Sequence, residues 1–285
     1  SKILSDFTMS RFFAFCIFTV MSSLSWSQAI VVSTHPIYLI AEKITEGVEK
    51  PTLLLKDQSG HDVTLTPAHR KTIQEAELVV WLGPQHEAPL NKLLVNNASA
   101  ISILESGIVQ TLPQRDARGK AIKGTLDTHV WLDPNNAVRI GFFIAALRSQ
   151  QKPEFKAEYW ANAQKFAKDM LLAANKLNIT SAAKPYWSFH DAYQYLERSL
   201  NLKFSGALTT DSHMAPTVTQ IKYLNDSRPM TKMCLLAEGH ASKNQYQKLG
   251  DISFQKVDES MSGEGDFVVG WANLTQEVQK CVLST

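Results

Sequence analysis

The chain has 285 residues, and its 29 Lys and Arg side chains against 27 Asp and Glu give a formal net charge of only +2. Without a basic excess, the composition excludes a dedicated nucleic-acid-binding protein. Hydrophobic residues make up 44% of the sequence and charged residues 20%, which is typical of a globular protein and excludes a disordered chain or a polytopic membrane protein. The length predicts roughly two domains of ordinary size, or one large domain.

The N-terminal stretch has the features of a signal peptide. Arg11 is followed by an apolar run over residues 12–21, which is too short to span a bilayer. Small residues, Ser27 and Ala29, stand at the third and first places before a predicted cut after Ala29. We therefore predict a cleavable signal peptide, with residues 1–8 as upstream sequence, and an exported mature protein. A buried N-terminal helix is the alternative, but the serine-rich stretch after the run gives it no amphipathic continuation.

Export changes how the cysteines are interpreted. Cys16 lies in the predicted signal peptide, so the mature chain keeps Cys234 and Cys281. In an oxidising compartment two cysteines usually pair, and a loop of this size would stabilise the fold by about 4 kcal/mol in the chain-entropy model. Metal binding by the pair is the weaker alternative, because neither cysteine has a second Cys or His at the spacing of a zinc finger.

The first part of the mature chain alternates short apolar runs with helical patterns. The predicted elements are strands at 30–32, 52–55 and 78–82 and helices at 36–46 and 67–76. Thr66 is the N-cap of the second helix, and a proline follows at the first helical position. Such alternation of strand and helix predicts a parallel sheet.

Residues 153–178 differ, because apolar side chains recur there at near-heptad spacing. This pattern predicts one long helix, about 39 Å in length at 1.5 Å per residue. The alternation then resumes, with strands at 186–189, 203–208, 233–237 and 252–257 and helices near 191–200, 215–225, 242–249 and 273–282. We therefore predict an α/β fold with two (β/α) lobes of parallel-type sheet joined by a long rigid helix. The predicted boundaries are 30–150 for the N-terminal lobe, 151–180 for the linking helix and 181–285 for the C-terminal lobe.

Candidate ligands follow several predicted strands, at the carboxyl ends where open parallel sheets bind ligands. His61 lies in the loop after the second strand, His190 follows the strand at 186–189, and Asp258 ends the last strand; His129 follows Asp127 and Thr128. Three imidazoles and a carboxylate in a cleft would suit Zn²⁺. Topology alone does not select this set, because four more histidines lie near strand ends. They are His35, His86, His213 and His240. For any one of these histidines, a surface or structural role is more common than metal ligation.

Four segments of the chain are distinctive when taken together. They are Gly60-His61-Asp62-Val63-Thr64-Leu65-Thr66-Pro67, Ala76-Glu77-Leu78-Val79-Val80-Trp81-Leu82-Gly83-Pro84, Asp127-Thr128-His129-Val130-Trp131-Leu132-Asp133-Pro134 and Phe189-His190-Asp191-Ala192-Tyr193. In their order and spacing they resemble the periplasmic zinc-binding proteins of bacterial ABC importers. The resemblance implies a metal cleft between two lobes, and capture of Zn²⁺ in the periplasm for delivery to an ABC permease, without catalysis. It also implies His61, His129 and His190 as metal ligands, and it matches Cys234 and Cys281 to a disulfide.

The resemblance leaves the fourth ligand open between a carboxylate and a water. Relatives use a Glu near the first His, a water, or an acidic residue late in the chain, and here Gly60 precedes His61. Asp258 stands where the late carboxylate is expected, and a structural cap on the turn that follows is its competing role. Manganese-binding relatives have Glu in place of the third His, so His190 favours Zn²⁺ over Mn²⁺.

One departure from the family concerns its His-rich loop, because residues 105–128 contain no His. His213 and His240 could form a second, weaker site at the cleft edge, which we do not expect, since two surface histidines need not meet. The alternative functions are an exported zinc-dependent hydrolase that uses the same three histidines, a manganese-binding relative, and a cell-surface adhesin. We expect a monomer that binds no nucleic acid.

Overall fold

The computed structural model describes residues 29–56, 63–177, 183–239 and 241–283. Its strands are β1 (Ile30–Val32), β2 (Thr52–Leu53), β3 (Leu78–Trp81), β4 (Ala100–Ser102), β5 (Pro185–His190), β6 (Lys203–Thr209), β7 (Met233–Ala237) and β8 (Ile252–Lys256). Its α-helices are α1 (His35–Thr45), α2 (Pro67–Glu75), α3 (Asn91–Leu94), α4 (Pro134–Gln151), α5 (Lys156–Asn175), α6 (Glu197–Leu200), α7 (Val218–Asp226), α8 (Lys243–Tyr246) and α9 (Phe267–Val282). Except for Ala29, the predicted signal peptide lies outside the described residues. Within those residues, no helix has both the length and the apolar character needed to cross a bilayer.

The strands form two parallel sheets of four strands each, which confirms the predicted α/β class. The first sheet has the order β2-β1-β3-β4 and the second the order β6-β5-β7-β8. We call the halves built on them the first and second lobes. In each sheet the winding reverses between the two central strands, β1 and β3 or β5 and β7. Such a switch point opens a crevice at the carboxyl ends of the strands, where α/β sheets bind ligands.

The central strands are apolar on both faces because both faces are covered. In β3, Leu78 and Val80 join the hydrophobic cluster that runs through both lobes, whereas Val79 and Trp81 pack on the opposite side of the sheet. All four side chains are buried. A strand that is covered on both sides appears in the sequence as a continuous apolar run, which is why β3 and β7 were predictable.

Two long helices lie between the two sheets in the sequence. The predicted helix at 153–178 corresponds to a 3₁₀ turn at Pro153–Phe155 and then α5, whose 20 residues span about 30 Å. The preceding helix, α4, packs along α5 and lies in a stretch without a predicted element. Gly141 of α4 permits this contact, because a Cβ there would lie 3.0 Å from the ring of Phe166 in α5.

Helix α5 contacts both lobes through one buried stripe. The hydroxyl of Tyr159 donates to Glu49 of the first lobe at 2.7 Å. Two turns further along α5, the ring of Phe166 packs edge-on against Phe267 of α9, with ring centroids 5.8 Å apart. The buried stripe therefore holds both lobes against the same helix, in agreement with the predicted joining helix.

The disulfide and the last helix differ in how well they were predicted. Cys234 and Cys281 form the expected disulfide, which joins β7 to α9 with Cα atoms 5.4 Å apart. The last helix begins earlier than the predicted residue 273, because Asp266 caps it by accepting from the N–H of Val269 at 3.0 Å. The helices predicted near 191–200 and 242–249 are replaced by 3₁₀ turns combined with the four-residue helices α6 and α8.

Residues 105–128, which we call the crossing segment, run from the first lobe onto the second. The carbonyl of Ala117 accepts from the N–H of Ala207 in β6 at 2.9 Å. This close approach requires glycine at the position before Ala207, since Gly206 has a φ of +133° and a Cβ there would lie 3.1 Å from the carbonyl oxygen of Ala117 and 2.6 Å from Leu224. Arg115 donates two hydrogen bonds to Asp191, both at 2.8 Å. The crossing segment is thus fixed to the second lobe beside His190.

Candidate metal centre

His190 stands at the switch point of the second sheet. It is the last residue of β5, and Glu238 directly follows the neighbouring strand β7. Parallel strands end at the same edge of the sheet, so Nδ1 of His190 forms an ion pair with Glu238. Both residues are only 4% exposed. Burial acts to lower the pKa of His190, but the charge and hydrogen bond of Glu238 outweigh it and raise this pKa to about 9.

His129 comes from the end of the crossing segment and is held by a carboxylate in the same way. Oδ1 of Asp127 accepts from the backbone N–H of His129 at 3.1 Å and lies 2.7 Å from its ring Nδ1. The ring centroid lies 5.4 Å from that of His190, at an interplanar angle of 54°. With a carboxylate on each Nδ1, Nε2 is the atom through which each ring would bind a metal, an arrangement that orients histidine ligands in metalloproteins.

Glu259 completes the cluster. One nitrogen from each histidine and one carboxylate oxygen of Glu259 all lie within 4.8 Å of one another. Burial raises the pKa of Glu259, and the charge of Glu238 adds to this effect while the two histidines oppose it. In a tetrahedral zinc site with ligand distances of about 2.1 Å, ligand atoms are about 3.4 Å apart. A modest contraction would therefore let all three groups bind one ion.

The structure does not bring all the predicted ligands into this cluster. Oδ1 of Asp258 accepts from the N–H of Ser260 at 3.0 Å and from its hydroxyl at 2.5 Å, and Oδ2 accepts from the N–H of Ser262 at 2.9 Å. Burial acts to raise the pKa of Asp258, but these hydrogen bonds lower it overall. Asp258 thus occupies the capping role that competed with ligation, and the carboxylate in the cluster belongs to the next residue. His61 lies outside the described residues.

The cluster opens into a cleft of about 450 Å³ that is lined from both lobes. His86 forms part of the wall, with Nδ1 2.7 Å from the hydroxyl of Thr128 and its ring edge-on to Trp131 at 5.7 Å. His213 lines the rim, where its backbone N–H donates to Asp211 at 2.8 Å. His240 lies outside the described residues. Over the part of the chain that is described, His129, His190 and Glu259 are the one group of three with metal-binding geometry.

The switch point of the first sheet contains a carboxylate rather than a histidine. The side chain of Glu87 accepts hydrogen bonds from the hydroxyl of Ser33, which follows β1, and from the N–H groups of Leu82 and Gly83, which follow β3. Glu87 is fully buried, and this burial raises its pKa to about 7. Glu87 thus joins the ends of the two central strands of the first sheet, whereas the candidate cluster lies at the second sheet and at the end of the crossing segment.

Three residues of the site were not predicted: Glu259, Asp127 and Glu238. Asp127 stands two residues before His129, a spacing at which a carboxylate can reach both the backbone and the ring of the histidine. Glu238 follows a predicted strand, and knowledge of the strand order would have placed it beside His190. For Glu259 the signal is indirect, since the serines two and four residues after Asp258 indicate that Asp258 caps its own turn.

Comparison with known proteins gives one family. The model of the family described as zinc-uptake complex component A, periplasmic, matches residues 30–251. The high-affinity zinc uptake system protein ZnuA of Yersinia pestis is 30% identical over 243 residues, which cover 74% of this chain and 76% of that protein. The protein of the same name from Haemophilus ducreyi is 26% identical over 259 residues, which cover 80% and 82%.

Solved structures share the fold. A crystal structure of ZnuA has a TM-score of 0.73 at 20% identity and covers 90% of this chain and 99% of its own. A mutant laminin-binding adhesin from Streptococcus agalactiae has a TM-score of 0.73 at 17% identity, with coverage of 90% and 99%. The two parallel sheets and their arrangement are therefore common to proteins with little sequence in common.

Proposed function

Since the chain belongs to the family of periplasmic zinc-uptake complex component A proteins, we propose that it captures Zn²⁺ in the periplasm and delivers it to the permease of an ABC zinc importer. The family match runs through both lobes, from residue 30 to residue 251. The chemistry of the described cluster, two imidazoles and a carboxylate, suits Zn²⁺. Zinc is the cargo here, so binding must be tight enough for capture and reversible at the permease.

His129, His190 and Glu259 are the proposed zinc ligands, and the observation that carries this assignment is their convergence within 4.8 Å. We propose Glu259 in place of Asp258, because the oxygens of Asp258 are occupied by the turn that follows it. His61, which follows β2 in the sequence and lies outside the described residues, is proposed as a further ligand. Nitrogen ligands outnumber carboxylates in this set, which favours Zn²⁺ over the harder ion Mn²⁺.

The carboxylates behind the histidines support this role. Asp127 lies against Nδ1 of His129, and Glu238 forms an ion pair with Nδ1 of His190. Each carboxylate fixes the orientation of its imidazole ring and makes the ring a better electron-pair donor to a cation. Because His190 must lose its proton before it can bind, zinc competes with a proton at this position. Release is then favoured by any movement at the permease that separates His190 from His129, since each belongs to a different part of the fold.

The ligand assignment can be tested by single substitutions. His129→Ala, His190→Ala and Glu259→Ala should each weaken zinc binding by about 100-fold or more, because each removes a metal bond rather than its support. His213→Ala serves as the control and should stay within about threefold of the parent, and Asp258→Asn should lose less affinity than Glu259→Ala. Calorimetry with chelator competition measures these affinities. Unchanged affinity in all three alanine variants, or a larger loss in Asp258→Asn than in Glu259→Ala, would contradict the assignment.

The family consists of transport components rather than hydrolases, and we propose that this chain has no catalytic activity. Zinc-loaded protein should hydrolyse ester, phosphate and β-lactam substrates no faster than the same concentration of free zinc does. A rate that depends on His129 and exceeds that of free zinc would favour the hydrolase instead.

We further propose that the mature protein begins after Ala29, acts as a monomer and binds no nucleic acid. The lobe boundaries near residues 150 and 181 belong to the same proposal, supported by sheets that end before the first boundary and begin after the second. N-terminal sequencing of protein from the periplasm and sedimentation of the purified protein test the first two points.

A further inference from the structure

Glu259 lies in a loop that is held by donors from two directions. The hydroxyl of Tyr193, in the second lobe, donates to the carbonyl of Val257 at 2.7 Å. The indole N–H of Trp131 donates to the carbonyl of Glu259 itself at 2.8 Å. The backbone that carries the carboxylate is therefore fixed on both sides of Asp258.

Trp131 also contacts the other end of the cluster. It stands two residues after His129 in the 3₁₀ turn Val130–Leu132, and its ring centroid lies 5.5 Å from that of the histidine. The side chain is 2% exposed. A single buried residue thus packs against one proposed ligand and hydrogen-bonds to the backbone of another.

The rest of the loop that carries Glu259 is also held against the first lobe. Nε2 of His35 lies 2.9 Å from the carbonyl oxygen of Glu264, and Lys43 forms an ion pair with Asp266 at 2.6 Å. Within the loop, Asp258 organises the turn that follows it, and the side chain of Met261 is buried. The loop is therefore a preformed unit, and the hydrogen bond from Trp131 is its contact nearest to the cluster.

We propose that Trp131 is a positioning residue for zinc binding, because its indole N–H holds the backbone carbonyl of Glu259 and thereby keeps the carboxylate of this residue close to His129. This inference rests on the proposed function, in which both residues are ligands. The competing explanation is that Trp131 contributes only buried volume. The two explanations differ in whether the N–H matters when the volume of the ring is kept.

Two indoles of this protein make a matched comparison. Trp271 is fully buried, and its N–H donates to the carbonyl of Leu132 at 2.9 Å. This second indole also joins α9 to the first lobe, but its acceptor is not a proposed ligand. Replacing either indole with phenylalanine removes one N–H donor and some volume. If the two variants differ in zinc affinity, the difference therefore comes from where the lost N–H donor stood and not from the loss of an indole as such.

In the experiment, Trp131→Phe and Trp271→Phe are titrated with Zn²⁺ under chelator competition and with Co²⁺ as a spectroscopic probe. Trp131→Phe should weaken zinc binding by about tenfold, in the range found for groups that orient metal ligands, and should shift the visible bands of bound Co²⁺. Trp271→Phe should change zinc affinity by less than about threefold and leave the Co²⁺ spectrum as in the parent. Equal losses in the two variants would overturn the proposal.

A double-mutant comparison separates this inference from the ligand assignment. If Trp131 acts through Glu259, adding Trp131→Phe to Glu259→Ala should cost no further affinity. A further tenfold loss in that background would refute the positioning role. If Glu259→Ala alone binds zinc like the parent, the ligand assignment fails first. Should Trp131→Phe not fold, Trp131→β-(3-benzothienyl)alanine keeps the ring shape without the N–H, and the same outcomes apply.

Discussion

Zinc affinity should depend strongly on pH, because of His190. Glu238 raises the pKa of His190 to about 9 in the metal-free protein, so the ring carries a proton at neutral pH. Zinc binds only the neutral ring, and two pH units of competition lower the apparent affinity at pH 7 by about 100-fold, or about 3 kcal/mol. Affinity should therefore rise about tenfold per pH unit between pH 7 and 9 and level off above that.

Calorimetry measures this proton directly. Titrations at pH 7 in buffers with different ionisation enthalpies should show about one proton released per zinc from His190, and a further fraction from Glu259, whose pKa is raised by burial. In Glu238→Gln the pKa of His190 falls, so proton release at pH 7 should decrease and the rise in affinity should move to lower pH. Glu154→Gln, at a distant 3₁₀ turn, is the control and should keep the parent profile. Affinity that does not change between pH 7 and 9, with no proton released, would refute this reasoning.

The same ionisation has the opposite effect on the stability of the metal-free protein. A histidine whose pKa is raised from 6.5 to about 9 on folding stabilises the fold fully below about pH 6.5, and this contribution is lost as the pH rises through 9. The free energy of unfolding should therefore fall by up to about 3 kcal/mol between pH 6 and 10, and by much less in Glu238→Gln. Urea denaturation of chelator-treated protein measures it, and a parent curve that rises over this range would contradict the ion pair.

Three further predictions concern the framework around the site. Cys234→Ser removes the disulfide and should lower the free energy of unfolding by about 4 kcal/mol in urea denaturation; a loss below about 1 kcal/mol would contradict its structural role. Gly206→Ala should lower the free energy of unfolding by about 2–4 kcal/mol, because its Cβ would lie 2.6 Å from Leu224, whereas Gly263→Ala meets no neighbour and should cost less than about 0.5 kcal/mol. Arg115→Met leaves Asp191 buried without its cation and should cost about 3–5 kcal/mol; an unchanged melting temperature would show that the crossing segment is held by other contacts.

The elements that were predicted well from the sequence are those in which burial produces a clear pattern of apolar residues. Strands β3 and β7 are covered on both faces, so they stand out as apolar runs between polar turns. The helix α4 was missed although Asp133 and Pro134 repeat the capping signal of Thr66 and Pro67. It packs against both α1 and α5, so its apolar residues do not form a single stripe and its periodicity is weak.

Prediction of the candidate site from the sequence was limited for a different reason. The sequence singled out His129 and His190 by residue type and family motif, independently of their surroundings. The choice between Asp258 and Glu259 depends on which of two adjacent side chains turns back to cap its own loop, and loops have no periodicity that fixes this direction. The partner of His190 depends on strand order, which places β5 beside β7 although a stretch of 42 residues that contains β6 separates His190 from the start of β7 in the sequence.

The most direct test of the central claim is a crystal structure of the zinc-loaded protein with anomalous data collected at the zinc edge. We predict one strong peak in the cleft, with Nε2 of His129 and of His190 at about 2.0–2.1 Å and an oxygen of Glu259 at about 2.0–2.2 Å. A peak that is bound by Asp258 while Glu259 points away, or one that lies outside the space between the two imidazoles, would contradict the account.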